Sequence, residues 1–179
     1  MHACIKPRIL LTAIVMLGLS LRTWQIAENP VGLHGDEASI GYNAYSLLKT
    51  GKDQNGKFLP LAIDQFGDYR PAGYHYLDIP FVAVLGLNAL AVRLPAALFG
   101  TATIVVFFLL IQTLFKRELL ALLASLFLAI SPWHVTISRA TSESVIALFF
   151  VILGTWLWLS GRLRTAALSF VASFLFYHA

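Results

Sequence analysis

The feature that most constrains this chain is a series of apolar runs, each close to the length of a membrane crossing. Four are clear: Ile9 to Ala27, Leu94 to Phe115, Leu119 to Ile130 and Ser144 to Leu159. A fifth begins near Thr165 and is cut short at Ala179. A helix needs about 20 apolar residues to cross roughly 30 Å of hydrocarbon, and these runs meet that length or fall a little short. Composition agrees, with 58% hydrophobic residues and 12% charged. A soluble domain carries about twice that share of charge. The fold expected is an all-α integral membrane protein, a polytopic helical bundle.

The first run follows Lys6 and Arg8, as a signal peptide would. Its end, RTWQIAEN, lacks the small-residue pair of a cleavage site, so it reads as an uncleaved anchor. The stretch from Tyr76 to Leu94 is ambiguous. Its cleanest run is short, holds Pro80 and Gly86, and is bracketed by Asp78 and Arg93. Such a run suits an interfacial or re-entrant segment. Leaving it out of the spans puts Lys6/Arg8, Lys116/Arg117 and Arg162/Arg164 all on the cytoplasmic side, as the positive-inside rule asks. Three parts follow: a cytoplasmic tail and first span (1–27), a large outward loop (28–93), and spans two to five (94–179) with a second outward loop at 131–143.

The net charge of +4 does not point to nucleic acid, because Lys and Arg lie singly or in pairs at the ends of apolar runs. One cysteine, Cys4, excludes an internal disulfide and a cysteine metal cluster. The histidines, at 2, 34, 75, 134 and 178, show no close metal-ligand spacing.

The outward loop opens with adjacent acids, Asp36 and Glu37, at the start of an amphipathic pattern. Ser39, Asn43, Ser46 and Thr50 fall on a polar stripe, and Ile40, Ala44, Leu47 and Leu48 on an apolar one. Gly51 stands where a helix C-cap glycine would, so an interfacial helix is expected here. Asp36 is placed to cap that helix or to do chemistry. Glu37 points toward the apolar stripe, where a charge needs a partner. Asn55-Gly56 reads as a tight turn between Lys52 and Lys57, which are solvated or serve a phosphate. Arg70 precedes Pro71, so its backbone is expected to be extended. It stands among Phe66, Tyr69, Tyr74 and Tyr76, where it either meets a lipid phosphate or snorkels from an aromatic belt. The second outward loop carries Trp133, His134, Arg139 and Glu143. Glu143 complements a helix dipole or joins a site, and Arg139 is placed to pair with it.

Four segments in order, HGDEASIGYNAYSLLKTGKDQNGKFLPL, YRPAGYHYLDIP, VRLPAALFG and AISPWHVTISRATSES, resemble the N-terminal part of GT-C glycosyltransferases. The branches most similar are the protein O-mannosyltransferases and the lipid A aminoarabinose transferases. The resemblance implies a multi-pass membrane enzyme, of which this chain is an N-terminal fragment inactive alone. Its donor would be a sugar on a polyprenyl phosphate, and its acceptor a hydroxyl on protein, lipid or envelope glycan. It implies a site on the outer face of the cell membrane, with Asp36 as the catalytic acid position and Glu37 its companion. Arg70, with Arg139, would face the donor phosphate, and Glu143 is the second acidic position. In the aminoarabinose branch an acid before the basic-Pro element holds a metal, whereas Tyr69 stands there in this chain. A divalent ion would then have His134 and Glu143 to use, and no other cofactor is implied. The rival classes are a transporter or flippase of lipid-linked substrates and a non-catalytic truncated subunit.

Overall fold

The computed structural model describes residues 7–65 and 67–177. Cys4, Lys6, Phe66 and His178 lie outside the described residues. In chain order the elements are α1 (Pro7–Thr23), α2 (Gly35–Thr50), β1 (Ala62–Gln65), β2 (Asp68–Pro71), α3 (Gly73–Leu85), α4 (Ala89–Phe115), α5 (Glu118–Ile130), α6 (Pro132–Arg139), α7 (Glu143–Leu159) and α8 (Leu163–Phe174).

The organising element is α4. Its 27 residues give about 40 Å of helix, and it is the one described helix long and apolar enough to cross a membrane by itself. It packs against α1, α3, α5, α6 and α7. The expected third span ends early: α5 has 13 residues and bends by 53° into α6, where only a turn was expected. Pro132 is the reason, since it sits at the first position of α6 and cannot donate back to α5. α1 and α7 have 17 residues each, at the short end of what a crossing needs, and α8 has 12. The outer faces of these helices are apolar. Leu98, Phe127, Val151, Leu168, Val171 and Phe174 are all exposed, as on a bundle whose solvent is lipid.

α2 forms over Gly35–Thr50 and stops at Gly51, whose φ of 69° is the left-handed cap that glycine adopts without strain. Its burial differs from the expected stripes. Ser39 and Asn43 are buried, while Tyr42 and Tyr45 are exposed. Asn43 turns inward because its Oδ1 accepts from Gln54 N at 2.9 Å, anchoring the following loop. The ambiguous stretch divides between α3 and the first turns of α4, and its two charges are not solvated. Asp78 and Arg93 are both fully buried.

A β-hairpin, β1 with β2, was not foreseen. It pairs Ile63 with Arg70 and Asp64 with Tyr69. Ile63 and Gln65 face inward, and Gln65 Nε2 meets His75 Nε2 of α3 at 3.0 Å. A core of Ile40, Tyr74, Val92, Ala96 and Ile146 joins α2, α3, α4 and α7, while Ile63 of the hairpin packs in a separate cluster with Leu47 and Ala72. Where α4 crosses α6, Gly100 lies against Ser138 and Arg22, and a Cβ there would strike the Ser138 side chain.

Candidate functional site

Asp36 was weighed as an N-cap, and the structure gives that role to other residues. His34 is the N-cap; its Nδ1 accepts from Asp36 N at 3.4 Å, and Glu37 Oε2 accepts from His34 N at 3.0 Å. Glu37 therefore supplies the capping acid at the third helical position. The Asp36 carboxylate is left to face Arg70.

Arg70 reaches it from β2. Extended backbone before Pro71, as expected from sequence, aims its side chain back over α2. Arg70 NH1 lies 3.1 Å from Asp36 Oδ2, and Arg70 Nε lies 3.1 Å from Asp68 Oδ2. These bonds use the guanidinium edge-on, and NH2 belongs to neither. The Arg70 pKa is raised. The Asp68 hydrogen bond contributes most, partial burial opposes it, and Asp36 and the charge of Glu143 add to it. About a third of each side chain in the Asp36–Arg70 pair is open, so a ligand can reach it. Beside Arg70 opens a cavity of 220 Å³ lined by Asp68, Arg70, Pro71, Glu143 and Tyr177. The second acidic position thus reaches the Arg70 cavity from the first turn of α7.

Glu37 is not in that cavity. It is buried, and its carboxylate receives Arg93 Nε and NH2, each at 2.9 Å. Thr141 adds its backbone N at 3.0 Å and its hydroxyl at 3.2 Å. Arg93 NH1 goes to the carbonyls of Ile26 at 3.0 Å and Pro30 at 2.9 Å, and NH2 also meets the Gly32 carbonyl. Burial alone would raise the Glu37 pKa, but the Arg93, His34 and Thr141 hydrogen bonds and the Arg93 charge overcome it and hold it near 2. This network ties the segment after α1, α2, α4 and the turn between α6 and α7 together. The partner that Glu37 required is Arg93, the one charge in α4, but spacing could not name it.

Arg139 does not join Arg70. Its guanidinium donates to the carbonyls of Leu21 at 2.8 Å and Asn29 at 3.0 Å, fastening α6 to the end of α1. His134 is fully buried and its ring meets Arg22. Its Nδ1 lies 2.7 Å from Arg22 NH2, and an arginine only donates, so that nitrogen is an acceptor already occupied. Arg22 also caps the broken end of α5 through the carbonyls of Ala129 at 3.0 Å and Leu128 at 3.4 Å. Among the described residues, no three of His, Cys, Asp and Glu stand together to hold a metal ion. Asp68, Thr141 and Tyr177 were missed in the sequence. Only Asp68, two residues from Arg70 on an exposed strand, gave a local signal.

Comparisons with known proteins bear on the family of the chain. A family model described as dolichyl-phosphate-mannose-protein mannosyltransferase matches residues 12–179. The "Putative mannosyltransferase YkcB" of Bacillus subtilis (strain 168) is 29% identical over 101 residues, which are 51% of this chain and 14% of that relative. No solved structure matches the chain. With almost its whole length under the family model, the chain belongs to the dolichyl-phosphate-mannose-protein mannosyltransferase family, whose members are integral membrane proteins.

Proposed function

We propose that the protein is a multi-pass membrane glycosyltransferase that moves a sugar from a polyprenyl-phosphate donor to a hydroxyl, on the outer face of the cell membrane. The N-terminus lies in the cytoplasm in this reading, and mannose is the sugar the family favours. The observation that carries the proposal is the Asp36–Arg70 pair, 34 residues apart in sequence, at the edge of a polar cavity that also holds Glu143.

The leaving group is a lipid phosphate, so it needs a cation more than a proton. Arg70 supplies that cation. An incoming phosphate competes with Asp36 for the guanidinium and releases the carboxylate next to the reacting centre. Asp36 then takes the proton of the acceptor hydroxyl as its oxygen attacks the anomeric carbon. The bond from that carbon to the phosphate oxygen breaks, its electron pair leaves on the lipid phosphate, and the configuration inverts. Glu143 and Asp68 accept hydrogen bonds from sugar hydroxyls. Glu37 is the companion of Asp36 as a positioning residue: it acts through Arg93 and Thr141.

The test is transfer of labelled mannose from a short-chain polyprenyl phosphate by the intact protein in membranes. Asp36→Asn should lower kcat by about 10²–10⁴-fold while donor binding persists, and Arg70→Ala should weaken donor binding. Unchanged transfer by Asp36→Asn would remove the base from the mechanism.

A further inference from the structure

Loop 51–61 stands outside the site and is built unlike a solvated connector. Phe58, Leu59 and Leu61 are exposed, Leu61 by 87%. Lys49, Lys52 and Lys57 are exposed beside them, and Lys49 Nζ lies 5.7 Å from the centre of the Tyr45 ring. The acid within the loop is turned inward: Asp53 is buried, and its Oδ1 accepts from Asn55 N at 2.9 Å and Lys57 N at 2.8 Å. The loop is also rigid. Leu59 N donates to Gly51 O at 2.9 Å, Tyr76 OH donates to Pro60 O at 2.9 Å, and Ser46 Oγ donates to Lys52 O at 2.7 Å. Leu59 is held at a φ of 40°, in the left-handed region that a branched side chain resists. The fold thus spends backbone strain to hold a leucine out from the surface.

What adjoins these side chains identifies their partner. Leu61 lines a 640 Å³ cavity with Phe174, Leu175 and Phe176, at the end of the apolar helix α8. Gly73 N donates to Leu175 O at 3.0 Å and fixes the outward loop to that end. Leu61 therefore adjoins the apolar end of α8, and exposed Phe58 and Leu59 precede it in the same loop among the lysines. Apolar side chains edged by lysines match a bilayer surface, with acyl chains below and anionic phosphates above.

We propose that loop 51–61 is a membrane-surface anchor, in which Phe58, Leu59 and Leu61 enter the outer leaflet while Lys49, Lys52 and Lys57 hold anionic lipid phosphates. It rests on the reading of this loop as outward-facing, and it fixes the height of the Asp36–Arg70 pair above the lipid.

A nitroxide at Leu61→Cys in a Cys4→Ser background tests it, with the intact protein in nanodiscs of phosphatidylcholine alone or with about one third phosphatidylglycerol. A second label at Leu168→Cys on α8 serves as the lipid reference. Oxygen should relax the Leu61 label more than a water-soluble nickel chelate does, and more strongly so with phosphatidylglycerol. Lys52→Glu with Lys57→Glu should erase the difference between the two lipids, and an unchanged difference would overturn the role of the lysines. A nickel-accessible Leu61 label beside an oxygen-accessible Leu168 label would overturn the anchor and leave the membrane reading standing. Nickel access at both would overturn both. A Leu61 label shielded from both reagents would show that protein covers the loop, and would overturn the anchor.

Discussion

Asp36 and Glu37 are neighbours on one helix turn, each paired to an arginine, yet the two pairs differ in almost every physical respect. Glu37–Arg93 is shut away, with side chains 5% and 0% exposed, and five hydrogen bonds reach the carboxylate from His34, Arg93 and Thr141. Asp36–Arg70 is a single contact at 3.1 Å, a third open to solvent. Neighbouring helical side chains point about 100° apart, so one acid turned into the α2–α4 seam turns the other toward the hairpin. A buried pair with all its partners is a clasp, whereas an open pair can exchange one partner for a ligand.

The sharpest way to break this contrast is to remove one half of the clasp. Glu37→Ala leaves Arg93 charged, buried and unpaired, which costs about 3–5 kcal/mol. Arg93→Ala should cost a similar amount. Both should appear as a large fall in the melting temperature of the purified protein in detergent. Loss of transfer should follow because Asp36 and Glu143 are no longer held in register. A melting temperature within a degree of the parent would show that the network is not the clasp described.

Asp36→Asn should do the opposite. Its effect on melting should be small, while the transfer rate should fall about 10²–10⁴-fold, the range for loss of a general base. Equal losses of stability and rate in both acid variants would erase the distinction between the two pairs.

α2 and the long apolar helix α4 were legible in the sequence; α6, the hairpin and the partnerships were not. α2 was readable because its apolar spacing and Gly51 agree on one element, and Pro132 marked the end of the third apolar run. The hairpin was not, since β1 and β2 have only four residues each and their inward side chains include Gln65, which has no apolar signature. Arg93 is hidden in AVRLP, where it reads as a flanking charge until its depth is known. Sequence sets Arg139 close to Glu143 and the resemblance sets it beside Arg70, but α6 forms and carries the guanidinium to the carbonyls of Leu21 and Asn29.

The clasp also makes a pH prediction. Folding lowers the Glu37 pKa from 4.5 to about 2, so between those values the unfolded chain binds the extra proton. Stability should be fully present above about pH 4.5 and lost as pH falls toward 2, by about 3 kcal/mol at roughly 1.4 kcal/mol per unit. Melting of the parent against Glu37→Gln across that window measures it. A difference between them that does not narrow with acid would assign the acid lability elsewhere.

The smallest expected effect tests the open pair. An exposed ion pair contributes about 0.2–1 kcal/mol, and salt screens it. A double-mutant cycle of Asp36→Asn and Arg70→Gln should therefore show a coupling below about 1 kcal/mol in stability, shrinking as salt rises. The same cycle read on donor binding should behave differently. If phosphate displaces Asp36 from Arg70, then Asp36→Asn removes a competitor, and donor affinity should rise slightly when Arg70 is present and not change when it is absent. Donor binding weakened by Asp36→Asn would mean that the carboxylate holds the guanidinium in place for the phosphate. The open pair would then be a clasp as well, only a looser one.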